Sequence, residues 1–450
     1  AVGRSALGAN TTGASNVAVG TNALDANQTG SSNTAIGFNS LGANTANNNT
    51  AVGIHTLAVN TSGTDNNSFG RDSLKANTTG SNNVAVGSLA LTANTTGTHN
   101  VAIGVNALDA NTTASYNTAV GTNSLTASTT GTRNTALGVE ALKALTTANH
   151  NTAIGDRAMQ LNTTGTENVA VGSGVLSNNL TGSKNTAIGR LALRFNTASN
   201  NTALGHQALE SNTTGSVNVS FGFQALKNNT TASNNTAVGY ESLKANTTGA
   251  SNTAVGFESL KLNTTGIKNV AVGSSTLDAN IDGENNTALG HNSLSAATSA
   301  NSNVAVGYNT LDATTTGGGN TALGANALTS NTTGIRNTAI GQATLTSNTT
   351  AQFSVAIGYR ALNANTTGMS NVAVGSAALQ DNQTGGSNTA VGRSVLVSNT
   401  GDNNSAIGER ALFQNTSGSN NAAFGRRTLY ENTTGTQNTA VGAQAGDLTT

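Results

Sequence analysis

The side chains of this sequence that could perform acid–base or metal chemistry are few and scattered. The 450 residues include five histidines, no cysteine and 19 acidic residues. Catalysis requires unlike groups that converge in one pocket, and a zinc site requires clustered ligands. The acidic residues have no carboxylate partner at a recurring spacing, and the histidines occupy isolated variable positions: His55, His99, His150, His206 and His291. We therefore predict no catalytic residue, no cofactor, no metal site and no enzymatic activity.

Asparagine is the polar residue that recurs with a regular spacing. Asn33, Asn100 and Asn117 each begin a segment of the form Asn, Thr or Val, Ala, large aliphatic, Gly. Regularly spaced asparagines can stack so that each amide bonds the next, while each also closes a turn through its own backbone. We predict such an Asn ladder. An alternative interpretation is that the Asn-Thr-Thr segments are acceptors for N-linked glycans.

Threonine recurs beside these asparagines. Thr78, Thr95 and Thr112 would form a regular array of hydroxyl and methyl groups. Such an array is suited to binding ice or carbohydrate, although it borders a turn that varies in length. This alternative stays open at the level of the sequence.

These residues belong to one repeat that runs through the chain. A glycine preceded by a large apolar residue recurs in a regular series of 27, from Gly3 to Gly442, and the interval is 17 residues except for three intervals of 16. We number the repeat from its first Asn, so that Asn100 is position 1, Gly104 position 5, Leu108 position 9 and Asn111 position 12. The three shortened copies lose their residue within 44–49, 196–201 and 399–404. Such length variation is typical of a surface turn.

The length of the repeat predicts the fold class. Helical-hairpin repeats need about 33 residues and leucine-rich repeats about 20 to 29, so 17 residues fit neither. We predict an all-β parallel β-solenoid of about 26 coils, each with two short strands and two turns. At about 4.8 Å per coil it would be a rod of roughly 125 Å. The repeat predicts one continuous array over residues 1–450, uncapped at both ends.

Glycine at position 5 is present in every copy, including Gly37, Gly104 and Gly121. We predict that these turn glycines have a positive φ or lie very close to another chain segment. At position 15 glycine alternates with alanine, as at Gly97 and Ala114, so that site requires a small residue more than a positive φ.

Each repeat carries its apolar residues in adjacent pairs, a small residue followed by a large one, at positions 3 and 4 and at positions 8 and 9. Neighbouring residues of an extended strand point to opposite faces. A narrow coil suits small residues inside, so we predict that the large residues point outward and form two assembly ladders, buried against other copies of the chain. The opposite assignment, with the large residues inside, would suit a monomer. The assembly residues predicted in this way include Ile36, Leu41, Ile103, Leu108, Val120 and Leu125.

Charge is scarce and balanced. Asp, Glu, Lys and Arg make up 8% of the residues, and the formal net charge is zero. Nucleic-acid binding therefore has no electrostatic support. Apolar runs are only a few residues long, so we expect no membrane insertion in this segment.

The core strings of the repeat resemble a known family. The residues 35–40, 102–107 and 187–192 read Ala-Ile-Gly-x-x-(Ala or Ser), which resembles the head repeats of trimeric autotransporter adhesins, the YadA-like heads. The longer unit is similar to the repeat arrays of phage-type tail-fibre proteins. This resemblance implies a left-handed parallel β-roll, trimeric about a central axis, outside the cell, on a cell surface or on a virion. The unit here is longer than is usual in those heads, which places the additional residues in an outer turn.

The expected function is a non-enzymatic structural fibre or adhesin shaft. Its expected partners are further copies of itself, as a trimer that could join end to end, and a receptor or glycan on a host surface. The alternatives are a phage tail-fibre shaft and an ice- or carbohydrate-binding solenoid.

Overall fold

A computed structural model describes residues 1–447 as a parallel β-solenoid of about 26 turns with 17-residue spacing. Every strand is three residues long and occupies positions 2 to 4 of the repeat. The prediction of an all-β parallel β-solenoid with a 17-residue repeat is thereby confirmed. Residues 1–447 contain no helix, and therefore no helix that could cross a membrane.

The chain forms two compact units, Ala1–Phe223 and Gln224–Thr450. The first contains β1 (Val17–Val19), β2 (Thr34–Ile36), β3 (Thr50–Val52), β4 (Asn67–Phe69), β5 (Val84–Val86), β6 (Val101–Ile103), β7 (Thr118–Val120), β8 (Thr135–Leu137), β9 (Thr152–Ile154), β10 (Val169–Val171), β11 (Thr186–Ile188), β12 (Thr202–Leu204) and β13 (Val219–Phe221). The second contains β14 (Thr236–Val238), β15 (Thr253–Val255), β16 (Val270–Val272), β17 (Thr287–Leu289), β18 (Val304–Val306), β19 (Thr321–Leu323), β20 (Thr338–Ile340), β21 (Val355–Ile357), β22 (Val372–Val374), β23 (Thr389–Val391), β24 (Ser405–Ile407), β25 (Ala422–Phe424) and β26 (Thr439–Val441).

Within each unit, successive strands pair in parallel and in register, so that equivalent repeat positions are partners. Ala102 lies opposite Ala119 in the first unit, and Ala254 lies opposite Ala271 in the second. The shortened copies keep this register, because Ala35 still pairs with Ala51 across the 16-residue interval. The predicted surface turn therefore absorbs the missing residue without disturbing the sheet.

The second strand predicted for each coil is absent from the described coils. Positions 7 and 9 have left-handed backbone angles instead, with φ of 63° at Leu89 and 51° at Leu91. The segment still bonds from coil to coil, since the Leu91 amide donates to the Ala107 carbonyl at 3.0 Å. Coil stacking is therefore maintained by turns as well as by the three-residue strands.

The prediction that two ladders of large residues point outward is wrong for one of them, the ladder at position 9. Leu41, Leu108 and Leu125 at position 9 are fully buried inside the coil, together with the alanines of positions 3 and 8. The alternation rule holds only for extended backbone. Left-handed φ values at positions 7 and 9 break that alternation, and both residues of the position 8–9 pair face inward. The position-4 residues Ile36 and Ile103 do lie on the outside, with 40% and 39% of their surface exposed.

Candidate functional site

The position-5 glycines lie where the strand ends and the chain turns. Gly104 has a φ of +138°, and a Cβ added there would lie 2.5 Å from the carbonyl oxygen of Gly121 in the next coil. Gly37 and Gly121 have φ values of +134° and +136°. Both parts of the prediction for these glycines are met by the geometry. Only a residue without a side chain allows the coils to approach this closely at the end of the strand.

The predicted Asn ladder is formed at position 1 by buried side chains. Asn100 Nδ2 donates to the Ala114 carbonyl at 2.9 Å, which closes its own coil. Its Oδ1 accepts from the Asn117 backbone amide at 2.9 Å, which ties it to the next coil. Asn33 makes the equivalent pair of bonds, to the Ala46 carbonyl and from the Asn49 amide. Where the strand begins, the Asn side chain thus makes hydrogen bonds of the kind that backbone groups make elsewhere in the sheet.

A second Asn ladder runs at position 12, beside the one predicted at position 1. The Nδ2 atoms of Asn77, Asn94 and Asn111 each donate at 2.8 Å to the Oδ1 of the position-12 asparagine one coil earlier. Each Nδ2 also reaches the carbonyl three residues ahead, as from Asn94 to Gly97 at 3.1 Å. The recurrence of asparagine at position 12 was the signal that could have identified this ladder.

The position-12 geometry bears on the glycosylation alternative. Asn111 begins an Asn-Thr-Thr segment, yet its side chain is fully buried and its Nδ2 makes two hydrogen bonds. Glycan transfer modifies this same nitrogen atom. The folded coil therefore presents no accessible acceptor at Asn111.

The threonine array at position 13 uses its hydroxyl groups internally. Thr78 Oγ1 donates to the Thr95 carbonyl at 3.1 Å, and Thr95 Oγ1 donates to the Thr112 carbonyl at 3.0 Å. These hydroxyls are already committed to the backbone of the next coil. The geometry therefore does not support them as a free hydroxyl array for ice or carbohydrate.

The largest regular exposed feature is the outer side of the strands, which we call the strand face. It consists of the position-2 and position-4 side chains of β1 to β13 in the first unit and of β14 to β26 in the second. No position-2 or position-4 residue of these strands is charged. Val120 is half-buried, like several other valines of position 4. Each unit therefore presents an uncharged, mainly aliphatic stripe that repeats about every 4.8 Å.

Aromatic and charged side chains occupy positions 6, 7 and 10, which come after the strand in the repeat. Tyr240 stacks on Phe257 with ring centroids 5.4 Å apart, and His291 stacks on Tyr308 at 5.7 Å. Stacking between identical positions of successive coils is a direct result of the repeat. Such pairs stabilise by about 0.5–1.5 kcal/mol beyond area burial.

An ion-pair network accompanies these aromatic residues in the second unit. Lys244 lies 2.8 Å from Glu241, and Lys261 lies 3.0 Å from Glu241 and 2.8 Å from Glu258. The hydrogen bond from Lys244 holds the pKa of Glu241 below its usual value. The network has the geometry of a surface charge ladder.

Two further predictions concern metal ligands and the histidines. Among residues 1–447, no three side chains of His, Cys, Asp or Glu come together as metal ligands. Four of the five histidines lie beside aromatic rings, as His99 does on Tyr116 with centroids 5.0 Å apart.

A small pit interrupts the surface of the first unit. Every other described coil has a side chain at position 7, but Gly174 has none, and a cavity of about 230 Å³ opens there. A Cβ at Gly174 would lie 2.9 Å from Leu191 Cδ2, so a larger residue would fill the space. The other lining residues include two arginines and one carboxylate: Asp156, Arg157, Gln160, Ser173, Ser177, Asn178 and Arg194.

No protein-family model matches the chain, and no curated protein matches it with significant similarity.

Proposed function

We propose that this protein is a non-enzymatic structural fibre, of the kind that forms an adhesin shaft, and that its copies assemble through the strand face. The observation that carries this proposal is the uncharged stripe of position-4 residues in each unit. Contiguous apolar surface beyond a few hundred Å² marks an interaction site. A stripe of thirteen partly exposed large side chains per unit is of that size.

A second copy of this chain is the partner that fits the strand face best. A partner must be uncharged and must match a repeat of about 4.8 Å over many coils to contact every position-4 residue. A second copy of the chain has this spacing because it has the same sequence and the same coils. Because position 9 faces inward, each unit offers one such ladder instead of the two predicted from the sequence.

The proposed assembly is a trimer about a central axis. A closed ring lets each copy bury its strand face without leaving an unpaired stripe at an edge. The resemblance to trimeric adhesin heads supports the same number and an extracellular, cell-surface or virion setting. A phage tail-fibre shaft shares this arrangement and remains the alternative.

Sedimentation of the full chain tests the proposal. The variant Ile36→Asp, Ile103→Asp, Ile188→Asp places three charges on the strand face of the first unit and should dissociate while keeping its strand signal in circular dichroism. The matched control is Thr79→Asp, Thr96→Asp, Thr113→Asp, which adds the same charge at exposed position-14 residues away from the face. The control should stay assembled. A wild-type monomer, or equal dissociation of both variants, would contradict the proposal.

Binding of an acidic saccharide is a second candidate function, favoured by the pit at Gly174. Arg157 and Arg194 line it from coils two repeats apart, about 10 Å along the coil stack. The guanidinium fork matches a carboxylate or sulfate group, which would compete with Glu140 for Arg157 (3.5 Å) and with Glu210 for Arg194 (4.0 Å). Asn178 supplies an amide group for sugar hydroxyls.

A filling variant tests the saccharide site. Gly174→Asn should close the pit without harming the coil, because Asn106 and Asn123 already occupy position 7 with φ of 56° and 55°. Asn309→Gly opens the same position in the second unit and serves as control. We expect calorimetric titration to detect a sialylated trisaccharide, but not its desialylated form, with the wild type and the control only. Binding that survives in Gly174→Asn would reject this site.

A further inference from the structure

Two irregularities of the repeat occur together. Phenylalanine occupies position 4 only three times, at Phe69, Phe221 and Phe424. Each lies in the second strand after a shortened turn: β4 after 44–49, β13 after 196–201 and β25 after 399–404. Every shortened turn has its phenylalanine, and every position-4 phenylalanine has its shortened turn. We call each such pair a register mark.

The shortened turn has its own hydrogen-bond pattern, repeated in all three marks. Asn49 Nδ2 donates to Asn44 Oδ1 at 3.3 Å, which links the position-1 and position-12 ladders directly. The equivalent bonds lie at 3.2 Å in the other two marks, from Asn201 to Asn196 and from Asn404 to Asn399. With one residue fewer and both ladders joined, the turn that precedes the strand is tighter there than in other coils. A turn with one residue fewer extends less far from its coil than the full-length turns of the neighbouring coils.

The phenylalanine of each mark is a projection on the strand face. Phe69 pairs in register with Val52 and Val86, which are smaller residues of the same column. The exposed fractions of Phe69, Phe221 and Phe424 are 41%, 52% and 38%, so their own coils do not bury these rings. An exposed ring at a position otherwise held by aliphatic residues is a large apolar group without a partner.

We propose that the phenylalanines of one copy seat against the shortened turns of a neighbouring copy, and that these contacts set the axial register of the assembly. Phenylalanine and shortened turn are separated by the same offset of little more than one coil in each of the three marks. Within the first unit, copies that point in the same direction and lie level to within about one coil can therefore engage both marks at once. This inference rests on the self-assembly proposed above.

A register device is needed because the strand face is nearly uniform. Position 2 is mostly Thr or Val and position 4 mostly Val, Ile or Leu, so a slip by one coil leaves most contacts unchanged. Strands without distinguishing side chains specify their register weakly. In the first unit the two marks lie nine strands apart, at β4 and β13. A slip of two to eight coils leaves both phenylalanines against full-length turns.

Disulfide mapping tests the register, since the chain contains no cysteine. Full-length chains carrying Ile103→Cys are mixed with chains carrying Val86→Cys, Val120→Cys or Val171→Cys, assembled and oxidised. The expected result is that Ile103→Cys cross-links with itself and with the adjacent-coil variants Val86→Cys and Val120→Cys. It should not cross-link with Val171→Cys, which is four coils away.

Removing the projections should abolish this selectivity. Phe69→Val with Phe221→Val installs the common residue of the column, so the coils are expected to fold, and cross-links should then spread to Val171→Cys. The matched control, Ile36→Val with Leu137→Val, trims the same face outside the marks and should keep the selectivity. Assembled chains that cross-link without selectivity, or a double Phe variant that keeps a single register, would overturn the inference. A chain that does not assemble at all would instead overturn the proposed function.

Discussion

A left-handed leucine at position 9 is the residue-level feature that organises each coil. Left-handed φ costs an ordinary L-residue about 1–2 kcal/mol. Fully burying a leucine side chain stabilises by about 1.5–3 kcal/mol. Leu108, with φ of 52° and no exposed surface, therefore gains at least as much from burial as the backbone strain costs.

Replacing that leucine tests its interior position. Leu108→Ala removes a fully buried side chain and should lower the free energy of unfolding by about 2–5 kcal/mol. Leu137→Ala truncates an equally large residue on the strand face, where 46% is exposed, and should cost a monomeric unit far less. Urea denaturation at a concentration that dissociates the assembly measures both. Equal losses would contradict the inward placement of position 9.

The two small-residue positions should differ sharply in their tolerance of alanine. Gly104→Ala combines a φ of +138° with a Cβ that would meet the Gly121 carbonyl, so we expect a loss of several kcal/mol or local unfolding. A Cβ at Gly97, which lies at position 15, would also meet a backbone carbonyl, that of Ala114, so the coils must shift there. Position 15 has no positive φ and holds alanine in other copies, as at Ala114, so this shift is available and Gly97→Ala should cost less than Gly104→Ala. Thermal unfolding followed by circular dichroism measures the contrast, and similar melting temperatures would refute it.

The half-buried carboxyl of Asp278 predicts a pH dependence of stability. Desolvation by burial raises the pKa of Asp278, and the nearby charges of Glu258 and Asp312 raise it further, against backbone hydrogen bonds that lower it. A raised pKa in the folded state means that the stability is fully present below the unfolded pKa and declines as the pH rises through the folded pKa. Asp278→Asn should therefore raise the urea midpoint at neutral pH and leave it nearly unchanged in acid. An increase of the same size at both pH values would contradict this cause.

The coil is the structural element of this protein, and hydrogen bonds of the Asn ladders help to hold successive coils together. With only three residues of strand per coil, most hydrogen bonds between coils join backbone groups of the turns, and the buried amides add to them. A satisfied hydrogen bond contributes about 0.5–1.5 kcal/mol, and a buried group left without a partner costs about 1–3 kcal/mol. A break in a ladder therefore destabilises in two ways: a hydrogen bond is lost, and a buried polar group is left without a partner.

The position-12 ladder of the first unit has a natural break at Ser128 and Leu145, and its first half can be repaired. Ser128 follows Asn111 in the column, and among the described residues neither Ser128 Oγ nor Asn111 Oδ1 has a hydrogen-bond partner. Ser128→Asn would place a donor beside Asn111 Oδ1 and should stabilise by about 1 kcal/mol. The converse change, Asn94→Ser, interrupts an intact part of the column and should destabilise. Paired urea titrations decide, and a loss of stability in Ser128→Asn would count against the ladder.

At the scale of the whole molecule, sparse charge determines how assembly should respond to salt. Only 38 of 450 residues are charged, and none lies at positions 2 or 4 of the described strands. Sodium chloride screens ion pairs but not apolar contacts, whereas sulfate strengthens apolar burial. The sedimentation coefficient should therefore stay constant in sodium chloride and rise or stay constant in sulfate. Dissociation in moderate sodium chloride would show that ion pairs, not the strand face, join the copies.

The sequence by itself determined the repeat and what depends directly on its spacing. The 17-residue interval set the parallel in-register pairing, the invariant glycine indicated the close approach at position 5, and the alternation of Ala and Ile placed positions 3 and 4 correctly. These features follow from local geometry, because an extended segment alternates its faces in any context.

The direction of position 9 and the single strand per coil depend on contacts that form only in the folded molecule. Left-handed leucine is unfavourable in isolation, so no local preference at Leu91 or Leu108 predicts it. The conformation is held by hydrogen bonds between coils, such as that from the Leu91 amide to the Ala107 carbonyl 16 residues later. The same bonds between coils bury leucine and asparagine together, since they exist only once identical coils have stacked.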